Sequence, residues 1–278
     1  MARLDLHLHS TCSDGTKPPE WVVRQAAANG AELIALTDHD THAGVKDAQS
    51  AGPRCGVEVV GGVEIGVHDP DLGELHVLGY FAPGAALDEL EQQLSAYQDE
   101  RESRARRTVE RLNQLGAPLD YETVTRIADG ASVGRPHIAR ALVEAGHVES
   151  VQEAFDRFLR NDGPAFVPRT LLSLSDSVDM IHRNGGFSSL AHPTRYGDPL
   201  AATAAFAAAG GNGLEIYYRN DSPDEIANGE QQAQRLGLIP TVGSDFHGLH
   251  PGELQPGTIP MPDHQSARLM QILKDLSP

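Results

Sequence analysis

The chain has 278 residues, with 39 acidic against 22 basic side chains and a formal net charge of −17, so it can bury one sizeable core, as one α/β barrel or one large domain with a smaller insert. That charge excludes general binding of nucleic acid through a basic surface, because neutralising phosphates takes clustered Lys and Arg, but it does not exclude a phosphorylated substrate. Cys12 and Cys55 are too few for a disulfide framework, and no apolar run is of signal-peptide or membrane-spanning length, so a reduced, cytoplasmic protein away from membranes is expected.

Leu4, Leu6 and Leu8 alternate with Asp5, His7 and His9, which is the period of a β-strand and puts both histidines on one face. Neutral imidazole is a good ligand for first-row divalent cations, and a same-face pair on an otherwise apolar strand reads as metal binding. Asp14 follows in a short Ser/Gly turn, within reach of whatever that strand lines. A helix is expected from Pro18-Pro19 to Asn29-Gly30, then a buried strand over 33–37 that ends in Asp38-His39-Asp40. A helix over 41–52 leads to a Val-rich strand over 57–65 carrying Glu64. Asp69-Pro70-Asp71-Leu72-Gly73 reads as a hairpin turn to a strand over 74–81 carrying His76.

From 87 to 159 the strand signal disappears, and the segment reads as three or four helices broken at Gly116-Ala-Pro118, Gly130 and Gly146. Residues 85–164 are therefore expected to form a helical insertion within a barrel made of 1–84 and 165–278. Its first helix carries Arg101, Arg104, Arg106, Arg107 and Arg111 among Glu100, Glu102 and Glu110, which reads as a solvated face laced with ion pairs rather than a phosphate-facing patch. The α/β alternation resumes with a helix over 173–184, a strand over 187–191 ending in His192-Pro193, and helices over 198–209 and 223–236. The remaining strands cover 213–218 and 238–242, the second ending in Gly243-Ser-Asp245-Phe-His247.

His7, His9, His39, Glu64, His76, His192, Asp245 and His247 all lie on or just past expected strands. In a parallel α/β barrel such strand ends converge on one mouth. One histidine of this kind is ordinarily a satisfied core residue; eight such residues, plus Asp14, are not. Nine N/O donors suit two or three divalent ions, with a carboxylate such as Glu64 bridging, and the resulting local positive charge would attract anionic phosphate. His/carboxylate donors accept manganese, taken here as the metal, and iron or zinc as well.

Asp5-Leu-His-Leu-His-Ser, Thr37-Asp-His-Asp, Glu64, His76, Ala191-His-Pro and Gly243-Ser-Asp-Phe-His resemble, in order along the chain, the motifs of the PHP (polymerase and histidinol phosphatase) family. The resemblance implies a distorted (β/α)7 barrel with a trinuclear centre: His7, His9, Glu64 and Asp245 on one ion, Glu64, His76 and His192 on the next, Asp14, His39 and His247 on the third. His192, His247 and Asp245 would act at the reacting phosphorus, and Asp5, Asp38 and Asp40 would orient ligating imidazoles. Gly134-Arg-Pro-His-Ile-Ala139 and His192-Pro-Thr-Arg-Tyr196 further resemble the branch of 3′,5′-nucleoside bisphosphate phosphatases and 5′-to-3′ exoribonucleases, which implies phosphate contacts from Arg135, His137 and Arg195. The expected activity is release of the 3′-phosphate of a nucleoside bisphosphate, with short 5′-phosphorylated RNA as a further substrate and extended duplexes excluded. A histidinol-phosphate phosphatase and a non-catalytic metal-binding scaffold are the two alternatives.

Overall fold

The computed structural model describes residues 3–85, 87–131, 133–161, 163–168 and 171–277. Seven strands form one sheet in sequence order: β1 (Leu4–Asp5), β2 (Leu33–Ala35), β3 (Glu58–Asp69), β4 (Gly73–Phe81), β5 (Phe187–Leu190), β6 (Gly213–Tyr218) and β7 (Ile239–Gly243). The first strand is regular for only two residues, but its extended continuation closes the sheet into a barrel. There the Leu6 N–H donates to Val242 O at 2.9 Å, the Asp245 N–H to His7 O at 2.8 Å and the His9 N–H to Phe246 O at 3.0 Å.

The strands are not all parallel. β4 pairs antiparallel with both β3 and β5, whereas the other described pairings are parallel. The turn 69–73 folds β3 and β4 into a hairpin, so residues on the first half of β4 and the middle of β3 share the mouth reached by the carboxyl ends of the remaining strands. Gly62 makes that approach close: a Cβ there would overlap the Leu36 carbonyl oxygen.

Helices α1 (Pro19–Ala28), α2 (Val45–Cys55), α7 (Leu174–Arg183), α8 (Pro199–Ala208), α9 (Pro223–Leu236) and α10 (Asp263–Lys274) belong to the barrel. Apolar side chains from the strands meet Val178 and Ile181 of α7, Phe206 of α8 and Leu269 and Leu273 of α10 in one core; α1 and α2 pack on Leu8, Ile34 of β2 and Val59 of β3 in a second. The helix expected over 41–52 starts later, at Val45, because residues 38–44 are held in turns, with Asp40 left-handed at φ 53° and its amide on Glu64 O. α10 was not anticipated; its apolar positions are spaced as in any surface helix.

Helices α3 (Asp88–Gln114), α4 (Tyr121–Ala128), α5 (Arg135–Glu144) and α6 (Val151–Ala154, running on as a π turn over Phe155–Leu159) lie between β4 and α7. Leu90 and Leu94 of α3 join the barrel core, whereas Val109 and Leu112 pack with Val124, Ile138, Leu142 and Leu159 in a separate cluster. α3 is thus a lever anchored at one end in the barrel and at the other in the helical cluster. Among the described residues no helix is long and apolar enough to cross a membrane.

Asp5 sits at the barrel seam, fully buried, accepting hydrogen bonds from Ser244 N at 2.9 Å and Gly257 N at 2.7 Å. Burial outweighs these bonds and pushes its carboxyl up to about 6. A carboxyl raised in the folded state contributes stability while protonated and loses it as pH rises through the folded pKa, here between about pH 4 and 6, at a cost of roughly 3 kcal/mol. Urea unfolding of the wild type and Asp5→Asn at pH 4 and pH 7 should show the stability difference moving in the variant's favour by about that amount. A difference that is the same at both pH values would refute this.

Candidate metal centre

All nine predicted ligands meet at the mouth of the barrel. His7 Nε2 and His9 Nε2 each lie 3.3 Å from Glu64 Oε2, and 3.4 and 3.1 Å from Asp245 Oδ1. On the other side of the same carboxylate, Glu64 Oε1 lies 2.7 Å from His76 Nδ1 and 3.2 Å from His192 Nε2. Asp14 approaches His39 Nε2 at 3.6 Å and His247 Nε2 at 3.4 Å. Four groups of donors in cation-binding proximity follow, and together they contain the whole set; His9 joins Asp14, His39 and His247 in one of them.

The donors fit divalent cations by what they lack. His7 Nε2, both ring nitrogens of His9, His39 Nδ1, His192 Nδ1 and Glu64 Oε2 are buried without a hydrogen-bond partner. Leaving so many polar atoms buried and unsatisfied costs about 1–3 kcal/mol each, so a concentration of them marks a place built for a ligand. Backbone strain gathers at the same residues: His192 and Asp245 have φ of 31° and 48°, a region that L-residues occupy only when their surroundings force it. His76 reaches the cluster because β4 runs backwards, with its amide held by the Tyr196 hydroxyl at 2.9 Å.

The expected partners of the imidazoles need correcting. Asp5, Asp38 and Asp40 bond to the backbone and to non-histidine side chains: Asp38 accepts from Ser10 and Ser13, and Asp40 accepts from Gly66 N and pairs with Arg101 Nε at 2.9 Å. They shape the loops rather than aim the rings. Among the described residues, the carboxylate outside the nine that hydrogen-bonds one of these imidazoles is Glu215 of β6, 3.0 Å from His7 Nδ1, while Tyr218 and Arg219 hold Asp245 Oδ2 and leave Oδ1 facing the histidines. Glu215 escaped the sequence reading, although a single charge within the apolar stretch Gly-Leu-Glu-Ile-Tyr-Tyr was its signal. Gly243 makes room for it, since a Cβ there would overlap both His7 and Glu215.

Two cavities open from the cluster and share His247, Pro136 and Phe155. The smaller, about 170 Å³, is walled by Asp14, His39, His76 and His247 together with Arg101, Arg104 and Arg135. The larger, about 930 Å³, carries Arg140, Arg160, Arg195 and Arg219 beside Asp245. The arginines of α3 therefore divide. Arg106 and Arg107 form the expected exposed ion pairs with Glu102 and Glu100, but Arg101 and Arg104 turn inward, against expectation, because α3 is anchored across the mouth. Arg135 bonds to Leu159 O and Asn161, and His137 is buried with its Nδ1 accepting from Gly134 N. Thus Arg135 and Arg195 face different compartments, and His137 closes the start of α5.

Charges in the cluster shift one another. Burial opposes the cationic form of His7 and His9, yet Glu215, Glu64 and Asp245 outweigh it at His7, lifting it well above its usual value, and Asp245 and Glu64 outweigh it at His9, lifting it to about 10. Burial takes His39 down to about 4 and also lowers His192. For Glu64, burial is outweighed by His39, His76 and His7; for Asp245, by Arg219 and then His7 and His247. Both carboxyls stay well below the usual range.

A PHP domain is recognised across residues 5–163. The chain is 36% identical to a 3′,5′-nucleoside bisphosphate phosphatase of Chromobacterium violaceum, covering 91% of this chain and 89% of that protein. It is 34% identical to a 5′-3′ exoribonuclease of Haemophilus influenzae, over 88% and 90%. Among solved structures, a protein of Chromobacterium violaceum described as an amidohydrolase with bound sulfate and no metal superposes with a TM-score of 0.89 at 32% identity, over 98% and 97% of the two chains.

Since a ligating imidazole must be neutral, a cation entering at His7 and His9 displaces the proton each carries at neutral pH. Affinity of the metal-free protein for Mn²⁺ should rise with pH and fall as pH is lowered. Calorimetric titration at pH 7 in buffers of different ionisation enthalpy should report proton release; an enthalpy independent of buffer would contradict it.

Proposed function

The chain belongs to the PHP family, and on that premise we propose that it removes the 3′-phosphate from 3′,5′-nucleoside bisphosphates, leaving 5′-mononucleotides. It is a metal-dependent phosphoesterase. The observation that carries the finer reading is the pair of arginine-walled cavities meeting at His247: a substrate with two anionic groups can engage both at once. A phosphomonoester engages one.

In this reading His7, His9, Glu64 and Asp245 hold one cation, Glu64, His76 and His192 a second, and Asp14, His39 and His247 a third. Manganese is taken as the metal, with iron and zinc served by the same donors. Bound cations would supply Lewis-acid charge to the phosphoryl oxygens and a nucleophile at neutral pH. The protein does the rest. Glu64 turns one oxygen to His7 and His9 and the other to His76 and His192, which suits it to bridge. His247 lines both cavities, so as a ligand of the third cation it would stand beside the reacting phosphate, with His192 and Asp245 holding the neighbouring cations there. Arg135 and Arg195, in separate compartments, orient the substrate through the phosphate that does not react, so remote binding energy serves the reacting one. His137, from its buried place at the start of α5, supports the loop carrying Arg135. Free Cys12 and Cys55 suit a reducing, cytoplasmic setting.

Short 5′-phosphorylated RNA is the second reading, favoured by the size of the larger cavity, which exceeds what one nucleoside fills. The acidic surface disfavours longer nucleic acid.

Phosphate release should be far faster from a 3′,5′-bisphosphate than from a 5′-mononucleotide or histidinol phosphate, and chelation should abolish it. Arg135→Ala should lower kcat/KM for the bisphosphate by about 10- to 100-fold, as befits a lost charge-assisted contact, and barely affect p-nitrophenyl phosphate. Equal losses on both substrates would move Arg135 to the reacting phosphate, and a preference for histidinol phosphate would overturn the nucleotide reading. Glu64→Gln keeps the size but not the charge, so it should cost both metal content and turnover; elemental analysis showing normal occupancy would refute the bridge.

A further inference from the structure

Glu215 is fully buried in the middle of β6, and its two oxygens are committed to two different parts of the cluster. Oε1 and Oε2 lie 3.0 and 3.2 Å from His7 Nδ1, and Oε2 accepts from the backbone N–H of His192 at 2.7 Å. A carboxylate only accepts, so His7 carries its proton on Nδ1 and turns the lone pair of Nε2 toward Glu64 and Asp245. The second bond acts on backbone rather than on a ring. His192 is left-handed at φ 31°, a conformation that must be imposed, and the Glu215 bond holds its amide where the strand ends.

We propose that Glu215 is the positioning residue shared by two of the metal positions, setting the ring of His7 for one and the backbone of His192 for the other. The proposal rests on the metal reading above. It separates the third position, at Asp14, His39 and His247, whose donors Glu215 does not touch. Glutamine at 215 has one accepting oxygen, so it satisfies either the His7 N–H or the His192 N–H and presents its own N–H to the other. Such support of a ligating histidine typically governs metal affinity by 10- to 100-fold.

The test titrates Mn²⁺ into metal-free wild type and Glu215→Gln, following uptake by calorimetry and by the electron paramagnetic resonance of free Mn²⁺. Two Mn²⁺ equivalents should weaken by about 10- to 100-fold in the variant while one keeps its affinity, and saturating Mn²⁺ should restore kcat with substrate KM unchanged. A merely structural role would lower the melting temperature of the metal-free variant without this selective pattern, and that result overturns the proposal, as does equal Mn²⁺ affinity in both proteins. Should Glu215→Gln fail to fold, Glu215→Asp, which keeps the charge but falls short by one methylene, is judged by the same criterion. Absence of Mn²⁺, Fe²⁺ and Zn²⁺ binding by the wild type would instead overturn the metal reading, and this proposal with it.

Discussion

One buried carboxylate holds the organisation of this molecule together. Glu64 lies 1% exposed, with both oxygens facing imidazoles, and the elements delivering those imidazoles come from four separate parts of the chain. Placing a negative charge there without compensation would be prohibitive. The barrel seam, the reversed β4 and the strained turns at His192 and Asp245 can be understood as the geometry needed to bring compensating groups to it. The hydrophobic core makes the barrel; the needs of Glu64 determine where its strands end and how the loops leave them.

Much of this was legible beforehand, for a physical reason. First-row divalent metals are commonly held by His, Asp and Glu, and such residues at the ends of apolar strands stand out against their surroundings, so His7, His9, Glu64 and Asp245 announced themselves as candidates. Period-2 and period-3.6 patterns likewise placed β6 and α9 at their observed bounds. What escaped were features decided by tertiary placement. The hairpin turn at 69–73 already implied the reversal of β4, but its antiparallel pairing with β5 depends on where the chain re-enters the sheet. The inward turn of Arg101 and Arg104 depends on where α3 is anchored, which no charge pattern on the helix encodes. Asp5, Asp38 and Asp40 sit beside the histidines in sequence, yet backbone amides, hydroxyls and Arg101 claim their carboxylates; Glu215, remote in sequence, was the one facing His7.

The helices between β4 and α7 bring arginines to the mouth. Cations held by the donor set would already make the mouth locally positive, and these helices add to that charge. By laying α3 and α5 across the opening, the chain brings Arg101, Arg104, Arg135 and Arg140 to cavities whose floors are His and Asp. Field lines are focused in such clefts, so a few inward arginines outweigh a net charge of −17 spread over the outside. Exclusion of long polyanions by the surface and acceptance of small ones by the cleft are then compatible properties.

The seam between β1 and β7 has a bearing on how the protein is made. Asp5 and Ser244 are joined across 239 residues, and the donors around Glu64 run from His7 near the start of the chain to His247 near its end. Contacts of such long sequence separation form late, after most loop-closure entropy has already been spent. During synthesis, therefore, the candidate donors emerge in stages: Glu64, His76 and His192 are all present before Asp245 and His247 follow. A chain truncated before Asp245 would keep the Glu64, His76 and His192 set but lose a donor from each of the two other proposed positions.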